Sequence, residues 1–147
     1  MTRILLTGMS GAGKSTLLAG LGAKGHFTVE TDLDGWTLPD GRWDEPRMSA
    51  LLLEHPDLVV AGTVENQGLF YDRFDHVVLL SAPLETLLER VASRTGNPYG
   101  RAEREQAEIA EYVDTVEPLL RRGATLELDG RRAPEELVAA VEELLGG

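Results

Sequence analysis

The chain has 147 residues, 42% of them hydrophobic, which suits one globular domain with a buried core spanning residues 1–147. It has no cysteine and no apolar run of the roughly 18 residues that cross a bilayer, which excludes disulfides, thiol catalysis and membrane spans. The net charge of −11 makes nucleic acid an unlikely partner, because backbone phosphates are bound by Lys and Arg. The first predicted strand begins too early for a signal peptide, so we expect a cytoplasmic protein without a membrane partner.

The predicted elements alternate between strands and helices along the chain. Short apolar runs predict five strands, at residues 3–7, 27–31, 58–62, 76–81 and 124–128. Helical spacing of apolar residues predicts helices at residues 15–21, 45–54, 83–93, 102–120 and 134–145. This alternation favours a parallel sheet with right-handed crossovers, in which ligands bind beyond the carboxyl ends of the strands.

The most specific motif lies between the first strand and the first helix. It reads Gly8-Met9-Ser10-Gly11-Ala12-Gly13-Lys14-Ser15 and fits the phosphate-binding pattern G-x-x-x-x-G-K-[ST]. Backbone N–H groups of such a loop point at phosphate oxygens, Lys14 would reach the β- and γ-phosphates, and the Ser15 hydroxyl would ligate Mg²⁺. We therefore predict ATP and Mg²⁺ as cofactors, with the nucleotide bound by Gly8, Ser10, Gly11, Ala12, Gly13, Lys14, Ser15 and Thr16.

Two carboxylates, Asp32 and Asp34, follow the second strand. Asp32 could hold the magnesium ion through water while Asp34 accepts a proton from an attacking hydroxyl. The alternative is a turn, because Asp-Gly is a frequent turn pair. The third strand ends without the aspartate that would be directed at the metal, and Glu65 is the nearest acid there, so the metal carboxylate is either Asp32 or Glu65.

Further polar and aromatic residues beyond the second and third strands are candidates for contact with a substrate. Trp36 and Arg42 belong to a loop that could wall a pocket for a ring or a sugar, or could simply be anchored by packing. Asn66 and Gln67 could hydrogen-bond a polar substrate, or could belong to a helix N-terminus. The candidate substrate residues are Asp34, Trp36, Arg42, Glu65, Asn66 and Gln67.

Arginines cluster after the fourth strand. Arg90 and Arg94 are four residues apart and share a helix face, and Arg101 ends a glycine- and proline-containing loop. Closure of that loop would bring guanidinium groups over the phosphates and exclude water, although surface ion pairs with nearby glutamates are the alternative. The candidate catalytic residues are Lys14, Asp34, Arg94 and Arg101. Arg131, in the turn after the last strand, is a candidate for contact with the nucleotide base.

Together, the phosphate-binding loop, the Asp32-x-Asp34 pair, the arginine-bearing helix and the terminal helix resemble the shikimate kinase and nucleoside monophosphate kinase group. The resemblance implies an α/β P-loop NTPase fold, a three-layer sandwich with a five-stranded parallel sheet of order 2-3-1-4-5 and a short lid around 94–104. It also implies that Asp32 and Asp34 serve magnesium and the acceptor hydroxyl, that Arg90 packs on adenine, and that an arginine of 94–101 meets the phosphates. Shikimate kinases carry a glycine triplet after the third strand that this chain lacks, so shikimate itself is not indicated.

The sequence therefore predicts a phosphotransferase that moves the γ-phosphoryl group of Mg-ATP to a hydroxyl of a small polar metabolite or nucleoside-like compound. One alternative is a nucleoside monophosphate kinase, in which Arg42 or Arg47 would hold the acceptor phosphate. Another is a nucleotide-binding regulatory module with slow hydrolysis and no acceptor. A kinase for nucleic-acid ends is disfavoured by the acidic charge. Neither the acceptor nor the oligomeric state follows from the sequence.

Overall fold

The computed structural model describes residues 2–93 and 102–146. Within these residues the strands are β1 (Arg3–Thr7), β2 (Thr28–Glu30), β3 (Leu58–Ala61), β4 (His76–Ser81) and β5 (Leu126–Asp129). The helices are α1 (Lys14–Ala23), α2 (Glu45–Glu54), α3 (Leu84–Ser93), α4 (Glu103–Thr115), α5 (Glu117–Gly123) and α6 (Pro134–Leu144), with a 3₁₀ helix at Gln67–Arg73. Most of the predicted lid around 94–104, including Arg94 and Arg101, lies outside the described residues.

The strands form one parallel sheet in the order β2-β3-β1-β4-β5, which confirms the predicted fold class and strand order. The central strand is β1, where Leu5 lies opposite Val60 of β3 and Val77 of β4. All four residues of β3 are buried, as expected for a strand covered on both faces. The carboxyl ends of β1, β2 and β3 therefore meet at one edge of the sheet.

Side chains of successive strand residues enter two separate apolar cores, because they point to opposite faces of the sheet. Ile4 and Leu6 belong to the core that includes α1 and α6, with Leu17, Leu21, Val138 and Val141. Leu5 belongs to the core on the other face, which includes Trp43, Met48, Phe70 and Phe74. This arrangement is the predicted three-layer sandwich.

One predicted helix is wrong in its extent. The single helix expected at 102–120 is two helices, because α4 ends at Thr115 and α5 begins at Glu117. Pro118 explains the break, since proline has no N–H to donate to the carbonyl four residues earlier and its ring crowds that carbonyl. Among the described residues, no helix has the length and apolar character that crossing a membrane requires.

Candidate functional site

The phosphate-binding loop joins the buried end of β1 to the first turn of α1. Gly8 and Gly13, the two fixed glycines of the motif, have positive φ, which explains why glycine is required there. The loop also lies tight against α3, because a Cβ on Gly11 would come within 2.7 Å of the Leu87 carbonyl oxygen. The Ala12 N–H donates to the Met9 carbonyl at 3.1 Å and closes a turn within the loop.

Lys14, the first residue of α1, is folded back onto the loop. Its ammonium donates to the carbonyl oxygens of Gly8 and of Met9, the latter at 3.2 Å. The Nζ atom is therefore held against the backbone of the motif instead of extending into solvent. A cation in this position supplies the positive charge that a bound phosphate group needs.

Glu30, the last residue of β2, provides the carboxylate that contacts the predicted metal ligand. The Ser15 hydroxyl donates to Glu30 Oε1 at 2.5 Å. Asp32, two residues later, is exposed in the following turn. A hydroxyl beside a carboxylate fits Mg²⁺, which takes few protein oxygens and completes its octahedron with water and phosphate. Among the described residues no group of three or more His, Cys, Asp or Glu forms a metal site, and this pair is the observation that favours one.

Glu30 was not among the site residues predicted from the sequence, which named the nearby carboxylates Asp32 and Asp34 instead. A signal was available, because Glu30 is a charged residue near the carboxyl end of the second predicted strand, where ligands of such sheets bind. The sequence does not place β2 beside α1, however, and only that packing brings the carboxylate to Ser15.

A chain of side-chain hydrogen bonds supports the start of the phosphate-binding loop. The Gln67 amide donates to Thr7 Oγ1 at 3.2 Å, and the Thr7 and Thr63 hydroxyls lie 3.0 Å apart. Thr63 Oγ1 in turn donates to the Gly8 carbonyl at 2.7 Å and accepts from the Gly8 N–H at 3.1 Å. Residues beyond β3 therefore fix the first glycine of the motif, a role for Thr63 that the sequence did not predict.

The amides of Asn66 and Gln67 make their hydrogen bonds inside the protein. Asn66 is buried and bonds the backbone N–H and carbonyl of Trp43, at 2.9 and 3.1 Å. The Gln67 oxygen accepts from the Val64 N–H at 2.9 Å, and its amide nitrogen also donates to the Tyr71 hydroxyl. Both residues therefore anchor loops, and contact of either with a substrate stays a prediction.

Arg42 and Glu65, two further predicted substrate residues, are brought together by the fold. Arg42 Nε lies 3.3 Å from Glu65 Oε2, and both side chains are more than half exposed. An exposed ion pair of this kind contributes little to stability. Contact of either residue with a substrate stays a prediction.

An open cavity of about 550 Å³ lies beside the Ser15–Glu30 pair. It is lined by Ser15, Leu18, Ala19, Thr28, Val29, Glu30, Leu33, Asp34, Trp36 and Arg47. The Arg47 guanidinium stacks on the Trp36 ring, 3.9 Å from its centroid, and donates to the Asp34 carbonyl at 2.6 Å. The structure thus brings the predicted substrate residues Asp34 and Trp36 into one cavity with Ser15, the predicted magnesium ligand. Arg47, predicted for the nucleoside monophosphate alternative, lines the same cavity.

The turn that carries Asp34 has an uncommon backbone. Asp34 has a φ of 60° and Gly35 a φ of 74°, a left-handed pair of the kind that Asp-Gly sequences favour. Asp34 and Gly35 therefore form a turn, as the alternative interpretation predicts, and Asp34 of this turn also lines the cavity. The Asp34 carbonyl accepts a hydrogen bond from Arg47.

The two described arginines predicted to contact the nucleotide have backbone or local partners. Arg90 donates to the carbonyls of Gly11 and Ala12, each at 3.2 Å, and to the Gly130 carbonyl at 2.8 Å. Arg131 is exposed and bonds Asp129 through Nε and Nη2. The Arg131 side chain, helped by its own N–H, lowers the pKa of Asp129 to about 2. Contact of Arg131 with a base stays a prediction.

The whole arrangement resembles known small-molecule kinases in fold. The chain matches a shikimate kinase from Acinetobacter baumannii in complex with shikimate at 21% identity and a TM-score of 0.72, covering 99% of this chain and 93% of that one. A shikimate kinase from Bacteroides thetaiotaomicron matches at 19% identity and a TM-score of 0.71, covering 99% of each chain. A gluconokinase from Sinorhizobium meliloti matches at 19% identity and a TM-score of 0.63, covering 99% of this chain and 91% of that one. These likenesses confirm the α/β P-loop NTPase fold predicted from the motifs.

Comparison with curated protein sequences gave no significant match. The sequence profile of the family described as "AAA domain" matches residues 4–111. That match begins in β1, contains the whole phosphate-binding loop and the Glu30 carboxylate, and reaches into α4. It covers well over half of the sequence, so this chain belongs to the AAA domain family.

Proposed function

We propose that the protein is a small-molecule kinase that transfers the γ-phosphoryl group of Mg-ATP to a hydroxyl of a small polar acceptor. The observation that carries this proposal is the Ser15–Glu30 hydrogen bond at the mouth of a cavity large enough for a metabolite. A phosphate-binding loop alone also serves switches and motors. A loop whose metal ligand opens directly onto such a cavity is suited to phosphoryl transfer between two bound molecules.

The residues of the loop would hold the donor. Backbone N–H groups of the loop and the Lys14 ammonium would bind the β- and γ-phosphates, and the Ser15 hydroxyl would ligate Mg²⁺, which neutralises charge on the transferred group when bound. We assign to Glu30, in place of Asp32, the carboxylate that holds the metal through water. Its support is the 2.5 Å contact with Ser15 Oγ.

The acceptor would lie in the cavity, with its hydroxyl directed towards the loop. Asp34 lines that cavity and would accept the hydroxyl proton. Arg47, fixed by the Trp36 ring and by the Asp34 carbonyl, would bind an anionic group of the acceptor. The proposal therefore favours an acceptor that carries both a hydroxyl and a carboxylate, such as a sugar acid.

The same arginine supports one second candidate, a nucleoside monophosphate kinase. In that reaction a phosphate of the acceptor would bind Arg47 and no base would be needed. The two candidates differ in their response to Asp34→Asn. Loss of the carboxylate would lower turnover strongly with a hydroxyl acceptor and leave it nearly unchanged with a nucleoside monophosphate.

The deciding experiment measures ADP formation from Mg-ATP with sugar acids, shikimate-like acids, neutral sugars, nucleosides, nucleoside monophosphates and hydroxylated antibiotics. Acceptor-dependent ADP would establish the kinase and name the acceptor class. Asp32→Asn is prepared alongside Asp34→Asn, and a loss of turnover confined to Asp32→Asn would remove Asp34 as the base. Tight ATP binding with no stimulation by any acceptor would favour the regulatory module.

A further inference from the structure

Arg90 lies on α3 and joins the phosphate-binding loop to the turn after β5. Its Nη1 donates to the carbonyls of Gly11 and Ala12, and its Nη2 donates to the carbonyl of Gly130. Three backbone oxygens in two segments therefore share one guanidinium. These partners differ from the adenine ring that the family resemblance implies for this residue.

We propose that Arg90 is a positioning residue that holds the phosphate-binding loop in its anion-binding conformation, acting on polyphosphate affinity through the loop backbone. The inference rests on the nucleotide binding in the proposed function and is independent of the acceptor. It assigns to Arg90 an effect on any ligand with a polyphosphate group, whether or not that ligand has a base.

The geometry of the peptide bond supplies the reason. In a trans peptide the carbonyl and the next N–H point in opposite directions. Because the Ala12 carbonyl is held towards Arg90, the Gly13 N–H is directed away from Arg90. The guanidinium also binds the negative ends of two loop carbonyls, which would repel a phosphate if they rotated towards it. Arg90 therefore favours the orientation of the loop that an anion needs.

The third contact, from Arg90 to the Gly130 carbonyl, links the phosphate-binding loop to the sheet. The Gly130 N–H donates to the Ser81 carbonyl at the end of β4, at 2.7 Å. The turn lies so close to the loop that a Cβ on Gly130 would come within 2.3 Å of the Ala12 carbonyl oxygen. Arg90 thus connects the glycine-rich loop to a turn that is hydrogen-bonded to the sheet.

The test compares Arg90→Ala with wild type for binding of sodium tripolyphosphate and of ATP by calorimetry. We expect the Kd of both ligands to rise by the same factor, about tenfold or more, because charge-assisted hydrogen bonds are the strong ones. Millimolar guanidinium chloride should restore much of the tripolyphosphate affinity of Arg90→Ala by binding the same carbonyls. Arg122→Ala, a change of an exposed arginine at the end of α5, is the matched control and should leave both Kd values unchanged.

Several outcomes would overturn the inference. Weaker ATP binding with unchanged tripolyphosphate binding would make Arg90 a base contact. A lower unfolding temperature with unchanged Kd values would make it a purely stabilising residue. If wild type bound neither ligand, both proposals would fail, whereas binding without acceptor-dependent transfer would remove the proposed function alone.

A second variant keeps the inference testable if Arg90→Ala does not fold. Gly130→Ala introduces a methyl group that must displace the Ala12 carbonyl, so we expect weaker tripolyphosphate binding with Arg90 still present. Gly68→Ala is the matched control, since a Cβ on Gly68 meets no atom within 4 Å. Equal tripolyphosphate affinity in the two glycine variants would contradict the inference.

Discussion

Glu30 places a negative charge next to the hydroxyl proposed as a magnesium ligand. Glu30→Gln keeps the size of the side chain and removes that charge. Carboxylates that support a metal indirectly typically contribute about 10–100-fold to affinity or activity. We therefore expect the apparent affinity for Mg²⁺ during ADP formation to fall by about that factor, as measured by titrating activity against magnesium concentration.

The matched control for Glu30 is Glu54→Gln, which changes an exposed glutamate at the end of α2. Its magnesium titration should match that of wild type. An unchanged titration for Glu30→Gln itself would remove Glu30 from the metal site. Asp32 would then return as the carboxylate to test.

Thr63 supports the phosphate-binding loop, since its hydroxyl forms hydrogen bonds with both the N–H and the carbonyl of Gly8. Thr63→Val keeps the shape and leaves the Gly8 N–H without that partner, while the Gly8 carbonyl keeps its hydrogen bond from Lys14. Unpaired polar groups in the interior cost about 1–3 kcal/mol each, so we expect a loss of about that size in the free energy of unfolding by urea. Thr115→Val, on the exposed side of α4, should cost much less, and equal losses would contradict the role given to Thr63.

At the scale of single elements, α2 carries Arg47 and begins with a capped turn. The Asp44 carboxylate accepts from the Arg47 N–H at 3.2 Å, and Pro46 lies in the first turn. Asp44→Ala removes the cap and should lower the free energy of unfolding by about 1 kcal/mol, whereas Asp44→Asn should retain most of it. Thermal unfolding of the two variants measures the difference. Identical melting curves would mean that the cap does not stabilise α2.

Local signals explain which elements could be predicted from the sequence. The bounds of α2 follow from Asp44 and Pro46 at its start and from Pro56 beyond its end, all within reach of the helix itself. Pro118 is an ambiguous signal, because proline can either interrupt a helix or lie in the first turn of a new one. The helical spacing of apolar residues also continues across Pro118 from α4 into α5. The expected single helix was therefore wrong at that residue.

The candidate site divides in the same way between local and long-range signals. The phosphate-binding loop is contiguous, so its motif was sufficient to predict it. Glu30 and Thr63 reach the loop only through the order of the sheet, 15 and 55 residues away along the chain from their partners Ser15 and Gly8. No local pattern encodes such contacts.

At the scale of the whole molecule, a surface cluster connects the segment after α1 to the terminal helix. Glu142 of α6 pairs with His26 at 2.9 Å and with Lys24 at 3.1 Å. Hydrogen bonds from His26 and then from Lys24 hold the pKa of Glu142 below its ordinary value of 4.5. Because the folded pKa is lowered, the stabilisation is present above pH 4.5 and is lost as the pH falls through the folded value.

The prediction compares wild type with Glu142→Gln in urea unfolding from pH 7 to pH 3. Wild type should be slightly the more stable of the two at pH 7, because an exposed ion pair contributes little to stability. The difference should shrink as the pH falls below 4.5 towards the folded pKa, because Glu142 then loses its charge. A difference that stayed constant down to pH 3 would show that the contribution is not electrostatic.

The two tryptophans of this chain occupy opposite environments, and this makes the protein its own optical probe. Trp43 is fully buried in the core, while Trp36 lies at the cavity under the Arg47 guanidinium. Intrinsic fluorescence should therefore separate two events, with Trp36 emission responding to occupation of the cavity and Trp43 emission to loss of the fold. In Trp36→Phe, the fluorescence change on adding an acceptor should disappear, while the change on denaturation remains. The fluorescence of wild type therefore offers a label-free screen for the acceptor.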